Sequence, residues 1–234
     1  MVRNMIHPSK IALLAITLLA ATPAGAAVFN IAPGFNPASN AVTDLWTYLE
    51  GPGYGSYTLL PNQAPYIVNT PAPFTTFGWN NPANLNSVPA FFAHTGGGTW
   101  SVNPCCGVVP LPNNTLVYHP GMGPAGGLSA DRAVLRFTVP AQANGSSYQS
   151  AKIKFKYTDL DRHGGDGIRW SIDHNGASQA NGTLFSLTTG PLATTGTQFA
   201  GFSVTTGDTI DFVLDPIADE NFDTTGLTGS ITLN

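Results

Sequence analysis

The sequence is poor in charge: of 234 residues, 9 are Lys or Arg and 13 are Asp or Glu, 9% in all, against roughly 25% in an average soluble domain. So few cations, at a formal net charge of −4, exclude a basic nucleic-acid groove, which needs clustered Lys and Arg to displace counterions from phosphates. Cysteine is scarcer still. Cys105 and Cys106 are the only two and are adjacent, so no disulfide framework staples the chain. A bond between them must form across a trans peptide that holds the Cα atoms about 3.8 Å apart, short of the usual ~4.4–6.8 Å. A strained vicinal disulfide, two buried thiols and an intermolecular bond therefore all stay open. Beyond residue 27 there is no sustained 3.6-residue apolar period, and no apolar run of the 18 or so residues that cross a bilayer.

What is present begins with a targeting pattern. Arg3 and Lys10 precede the apolar run Ile11 to Ala21, and Ala24-Gly25-Ala26-Ala27 supplies small side chains for cleavage. The run is about half the length of a membrane span, so residues 1–26 are expected to be a cleaved secretory signal and the protein to be secreted, extracellular or at the cell surface. Removing Arg3 and Lys10 leaves seven basic against thirteen acidic side chains, a net of −6. No membrane span is expected after the signal.

The remainder, 27–234, is expected to be one domain of two textures. Residues 27–130 hold 14 of the 19 prolines and only two charged residues, Asp44 and Glu50. Runs such as Pro61-Asn62-Gln63-Ala64-Pro65, Thr70-Pro71-Ala72-Pro73 and Val109-Pro110-Leu111-Pro112 remove backbone donors and force extended geometry. They predict loops and edge strands there. Residues 131–234 carry clean period-two patterns instead. Leu135, Phe137 and Val139 alternate with Arg136 and Thr138; Ile153, Phe155 and Tyr157 alternate with Lys152, Lys154 and Lys156. Ile168, Trp170 and Ile172 share a third face, Ile210, Phe212 and Leu214 a fourth, and Ser230 to Leu233 reads as a last strand. Asn175-Gly176 predicts a type I′ hairpin turn, since both central residues need positive φ. Strands at short spacing without helices predict an all-β fold, an antiparallel β-sandwich of two packed sheets.

The order of motifs resembles that of jelly-roll domains in exported bacterial proteins of the PEP-CTERM-sorted type, which are similar in shape to carbohydrate-binding modules. The residues that carry it are Trp46-Thr47-Tyr48, Leu116 to Gly121, Ala133 to Pro140, Gly165-Asp166-Gly167-Ile168 through Asn175-Gly176, Gly207 to Phe212, and Asp223 to Leu227. The resemblance implies an exported jelly-roll-like sandwich associated with extracellular polysaccharide. The sequence departs from that type at Asn234, where no Pro-Glu-Pro motif, apolar helix or basic tail follows the last strand.

Two stretches concentrate carboxylates. Asp159, Asp161 and Asp166 lie in a glycine-rich loop, and Asp219 and Asp223 form an alternative group with no Lys or Arg after Arg169. Such residues either cap backbone donors or stay solvated, or they hold a structural calcium ion, a hard cation taking 6–8 oxygens. The spacing is not that of an EF-hand. His94, His119, His163 and His174 stand singly, so zinc is not expected. Catalytic signatures are missing: there is no Gly-x-Ser-x-Gly and no His-Glu-x-x-His. Sugar binding suits the composition better, because pyranose C–H faces stack on aromatic rings while Asn, Asp and backbone groups fix hydroxyls. Tyr54, Tyr57, Trp79 and Trp100 lie in Gly-, Asn- and Thr-rich stretches and are the candidate ligand-binding residues, whereas Trp170 is in phase with a core face. The expected function is non-catalytic binding of extracellular polysaccharide or surface matrix. The alternatives are a structural, self-associating matrix protein and a polysaccharide-degrading enzyme using paired Asp residues.

Overall fold

The period-two segments form strands in the structure, a computed structural model that describes residues 25–68, 74–83, 88–96, 100–102, 109–122, 130–161, 164–185, 194–218 and 221–234. Residues 1–24, the two cysteines, Arg162, His163, Asp219 and Glu220 lie outside these. Among the described residues there are seventeen strands. They are β1 (Ala27–Asn30), β2 (Trp46–Gly51), β3 (Thr58–Leu59), β4 (Asn62–Val68), β5 (Phe74–Asn80), β6 (Ala90–His94), β7 (Trp100–Val102), β8 (Val109–Leu111), β9 (Thr115–His119), β10 (Gly121–Met122), β11 (Ala130–Thr138), β12 (Ser150–Asp159), β13 (Ile168–His174), β14 (Ala177–Leu184), β15 (Thr194–Ser203), β16 (Thr209–Pro216) and β17 (Thr225–Leu233). Among these residues no helix is long and apolar enough to cross a membrane.

The strands form two antiparallel sheets. One is eight-stranded, in the order β15-β12-β17-β9-β6-β5-β4 with β1 on β17; the other is seven-stranded, β14-β13-β16-β11-β2-β3 with β10 on β11. Between them lies a shared core that includes Trp46, Tyr48, Phe91, Tyr118, Phe137, Phe155, Trp170 and Phe212. This is the jelly-roll-like β-sandwich expected from the sequence. The β12 alternation holds residue by residue: Ala151, Ile153, Phe155 and Tyr157 are buried while Lys152, Lys154 and Lys156 are exposed. Asn175 and Gly176, at φ 49° and 81°, turn β13 into β14 with His174 opposite Ala177, as a type I′ hairpin requires.

The first half holds more strand than its prolines suggest. Pro65 does sit on β4, the last strand of its sheet, and Pro110 on the two-stranded ribbon β7-β8. Yet β2, β6 and β9 are interior strands, buried along almost their whole length. A strand covered on both faces has no reason to alternate, so period two fails to mark it. The covers are visible as two satellite cores. On the eight-stranded sheet Phe92, Val117 and Leu160 pack under Val109 and Leu111 of the ribbon. On the seven-stranded sheet Leu49, Val134 and Val213 pack with Leu59 of β3 and under Tyr57 from the loop after β2.

Candidate functional site

That loop covers only part of the seven-stranded sheet's outer face, and the strip beside it is polar. Period two aims Arg132 and Arg136 of β11, Asp211 and Asp215 of β16, Arg169, Ser171 and Asp173 of β13, and Asn181 and Thr183 of β14 outward together. Register sorts them into rows across the strands. One row runs Thr183, Arg169, Asp215, and another Asp173, Asp211, Arg136, Thr47. Between them lie Asn181, Ser171 and the apolar Val213, Val134 and Leu49 that the loop covers.

The two charged rows differ in how tightly they close. Arg136 donates from Nε and Nη2 to the two oxygens of Asp211, each at 2.8 Å, and the Asp211 side chain is 0% exposed. The Asp211 hydrogen bonds hold the Arg136 guanidinium above its ordinary range. Burial pushes the Asp211 carboxyl up, with Arg136 opposing it. Asp173 faces Asp211 directly across the strands. Burial raises its pKa first, Asp211's charge adds to that, and Ser171 and Arg132 work against it. In the other row Arg132 Nη2 and Arg169 Nε approach the same oxygen, Asp215 Oδ2, at 3.4 and 3.6 Å. Arg169 also donates from Nη2 to the Pro216 carbonyl at 3.1 Å. Beside this row is a groove of about 310 Å³ lined by Arg132, Arg169, Ser171, Asn181, Thr183 and Asp215 among others.

Tyr54 and Tyr57 stand over the closed row. Their rings meet edge to face at 6.4 Å and 87°, and the Arg136 guanidinium carbon lies 5.7 and 5.8 Å from their centroids, within cation–π range. Tyr54 is 49% exposed. Its ring rests on the β13-β14 turn at Gly176, where a Cβ would collide with it, so the turn glycine is required twice: for its φ and for the ring above it. Tyr57 is half-buried; burial raises its hydroxyl pKa against the nearby Arg132 cation.

The other expected residues are elsewhere. Trp79 is half-buried against the main core, stacks on Tyr48 at 6.5 Å and 11°, and donates from Nε1 to the Asn36 carbonyl at 3.0 Å. Trp100 has its backbone in the β7-β8 ribbon opposite Leu111, and its side chain lies outside the described residues. Of the four aromatics, Tyr54 and Tyr57 are the pair shown together. The acidic stretches, expected as alternatives, converge: Leu160 N donates to Thr224 O at 2.9 Å, and a Cβ on Gly165 would sit 3.2 Å from Asp223 Oδ1. Asp159, Asp161 and Asp223 are buried and Asp166 half-buried, while Asp219 lies outside the described residues. Asp161 N donates to Asp159 Oδ1 at 3.1 Å, the backbone-capping role of an Asx turn. Among the described residues no three Asp, Glu, His or Cys side chains form a group able to hold a metal ion.

Sequence reasoning missed the arginine and aspartate rows. Their signal was the charged member of each alternation, at Arg136, Arg169, Asp173 and Asp211, but only register turns single outward charges into rows.

No family model matches the chain, and no curated protein matches it. Among solved structures it is similar to dimeric latent PorU from Porphyromonas gingivalis, at 14% identity and a TM-score of 0.30, over 44% of this chain and 10% of that one. It is similar to the M60 catalytic domain with the CBM51-1 and CBM51-2 domains of Clostridium perfringens ZmpB, at 12% and 0.33, over 88% and 19%. It is also similar to Arthrobacter globiformis T6 isomalto-dextranase complexed with panose, at 11% and 0.29, over 88% and 34%. The chain thus spans between a tenth and about a third of the length of these proteins, and none of these likenesses bears on the function argued below.

Proposed function

We propose that this protein binds extracellular carbohydrate without catalysis, on the outer face of the seven-stranded sheet, as part of secreted or cell-surface matrix material. The observation that carries the reading is the edge-to-face Tyr54–Tyr57 pair beside a groove edged by guanidinium, carboxylate, amide and hydroxyl groups. Aromatic faces suit sugar C–H surfaces, and the groove's donors and acceptors suit hydroxyls. A structural calcium ion between the two acidic loops belongs to the same proposal. Calcium accepts backbone and water oxygens as well as carboxylates, so two Asp side chains suffice as its charged ligands.

The test is a panel of neutral and acidic polysaccharides probed with the purified protein and with Tyr54→Ala, whose half-exposed ring can be removed without opening the core. The expected result is retention on at least one polysaccharide, weakened about tenfold or more in the variant, as loss of a ring contact of ~1.4 kcal/mol predicts. Reducing ends released from the panel would instead establish the enzyme, and self-association with no retention the matrix protein. Asp173 and Asp211 are the juxtaposed carboxylates an enzyme would need. Against that role, Arg136 occupies both oxygens of the fully buried Asp211.

A further inference from the structure

We infer that the groove at Arg132 and Arg169 takes the carboxylate of an acidic sugar, so that the ligand is a uronate-containing polysaccharide. This rests on the carbohydrate-binding reading and narrows it. The argument is the contrast between the two charged rows of one sheet face. At Arg136 and Asp211 a guanidinium fork closes on a carboxylate with two bonds of 2.8 Å, and the pair is complete. At Asp215 two guanidinium groups share one oxygen at 3.4 and 3.6 Å, longer than the ~2.7–2.9 Å of a closed charge-assisted bond. Neither forks onto Asp215: Arg169 turns Nε toward it and spends Nη2 on the Pro216 carbonyl, and Arg132 also meets the Tyr57 hydroxyl. The donors left over therefore come from two guanidinium groups, and a carboxylate is the group whose two oxygens can take one from each.

Charge points the same way. Arg132 and Arg169 outnumber Asp215, the single acid among the groove's lining residues, in a chain whose formal net charge is −4. An entering carboxylate makes the set two against two. The side chains are 33%, 56% and 17% exposed for Arg132, Arg169 and Asp215, open enough for a ligand to reach, and the attraction should weaken as salt is added. Asn181, Thr183 and Ser171 line the same groove and supply amide and hydroxyl partners for ring hydroxyls. Its volume of about 310 Å³ is at the lower end of the ~300–1,000 Å³ of small-ligand sites, which fits recognition of one sugar unit along a chain.

The experiment compares binding to polygalacturonate, to its methyl ester and to a neutral glucan at one ionic strength. The proteins are the wild type, Arg169→Gln, Arg169→Lys and Lys154→Gln. The ester keeps the backbone and removes the carboxylate. Lys154 is exposed on the outer face of the other sheet, so its variant removes one positive charge away from the groove. The expected outcome is a preference for the acid over the ester of about tenfold or more, worth ~1.4 kcal/mol. It should be lost in Arg169→Gln, largely lost in Arg169→Lys, and kept in Lys154→Gln. Equal binding of acid and ester, or equal losses in Arg169→Gln and Lys154→Gln, would overturn the uronate assignment while leaving carbohydrate binding standing. Failure to bind any of the three, or any other polysaccharide of the panel, would remove the underlying reading as well.

Discussion

Asp208 shows how much one side chain does at the end of the seven-stranded sheet. Its Oδ1 accepts from Asn175 Nδ2 at 2.9 Å, and its Oδ2 from Thr205 N at 2.9 Å and lies 3.0 Å from His174 Nε2. Asn175 Oδ1 in turn accepts from Thr209 N at 2.8 Å, so the β13-β14 turn and the β15-β16 turn are tied side by side. Burial works to raise the carboxyl's pKa, but the hydrogen bonds from Asn175, Thr205 and His174 outweigh it and hold Asp208 at about 2. A carboxyl depressed from its unfolded value of about 3.9 stabilises the fold fully above that pH and loses the contribution as pH falls toward 2. Acid titration of the melting temperature should therefore show a drop between roughly pH 4 and 2 that Asp208→Asn flattens. An unchanged acid limb in the variant would mean that the turn-to-turn clamp is not what the carboxylate stabilises.

At the scale of elements, the Arg136–Asp211 pair joins β11 to β16 across 75 residues of sequence. Arg136→Gln should cost about 3 kcal/mol in urea unfolding, because it leaves a fully buried carboxylate without its fork partner, whereas changing both residues together to apolar ones should cost less. A loss below about 1 kcal/mol would show that Asp211 is protonated or reaches water. This pair also marks the limit of what the sequence makes legible. Strands β12 and β13 and their turns can be read directly, since each has one wet face and Asn175-Gly176 names its own turn type. Strands β2, β6 and β9 cannot, because the ribbon and the loop after β2 bury outer faces that alternation assumes to be wet. The site lies one step further off. Tyr54 and Tyr57 are visible as loop aromatics, but their neighbours come from β11, β13, β14 and β16, and a one-residue change of register would turn every one of those side chains to the core.

Taken as a whole, the molecule brings its two acidic loops to one place, which changes the expectation for calcium. An ion bound only by the folded state adds about 2.7 kcal/mol at a hundredfold excess over Kd, or roughly 5–10 °C in melting temperature for a chain of this size. With Leu160 bonded to Thr224 and Gly165 against Asp223, Asp161→Ala and Asp223→Ala should each abolish the shift. A melting temperature that is the same in chelator and in millimolar calcium would reject the ion. The order of strands has a consequence of another kind, in time. Strand β17, the last of the described strands, lies between β12 and β9 and carries β1 as well. A polypeptide emerging N-terminus first therefore has the two parts of its eight-stranded sheet on hand with nothing to join them until residues 225–233 are released. Such closure by distant segments belongs to the slow, millisecond-to-second class of folding, so the eight-stranded sheet stays in two parts until β17 is delivered.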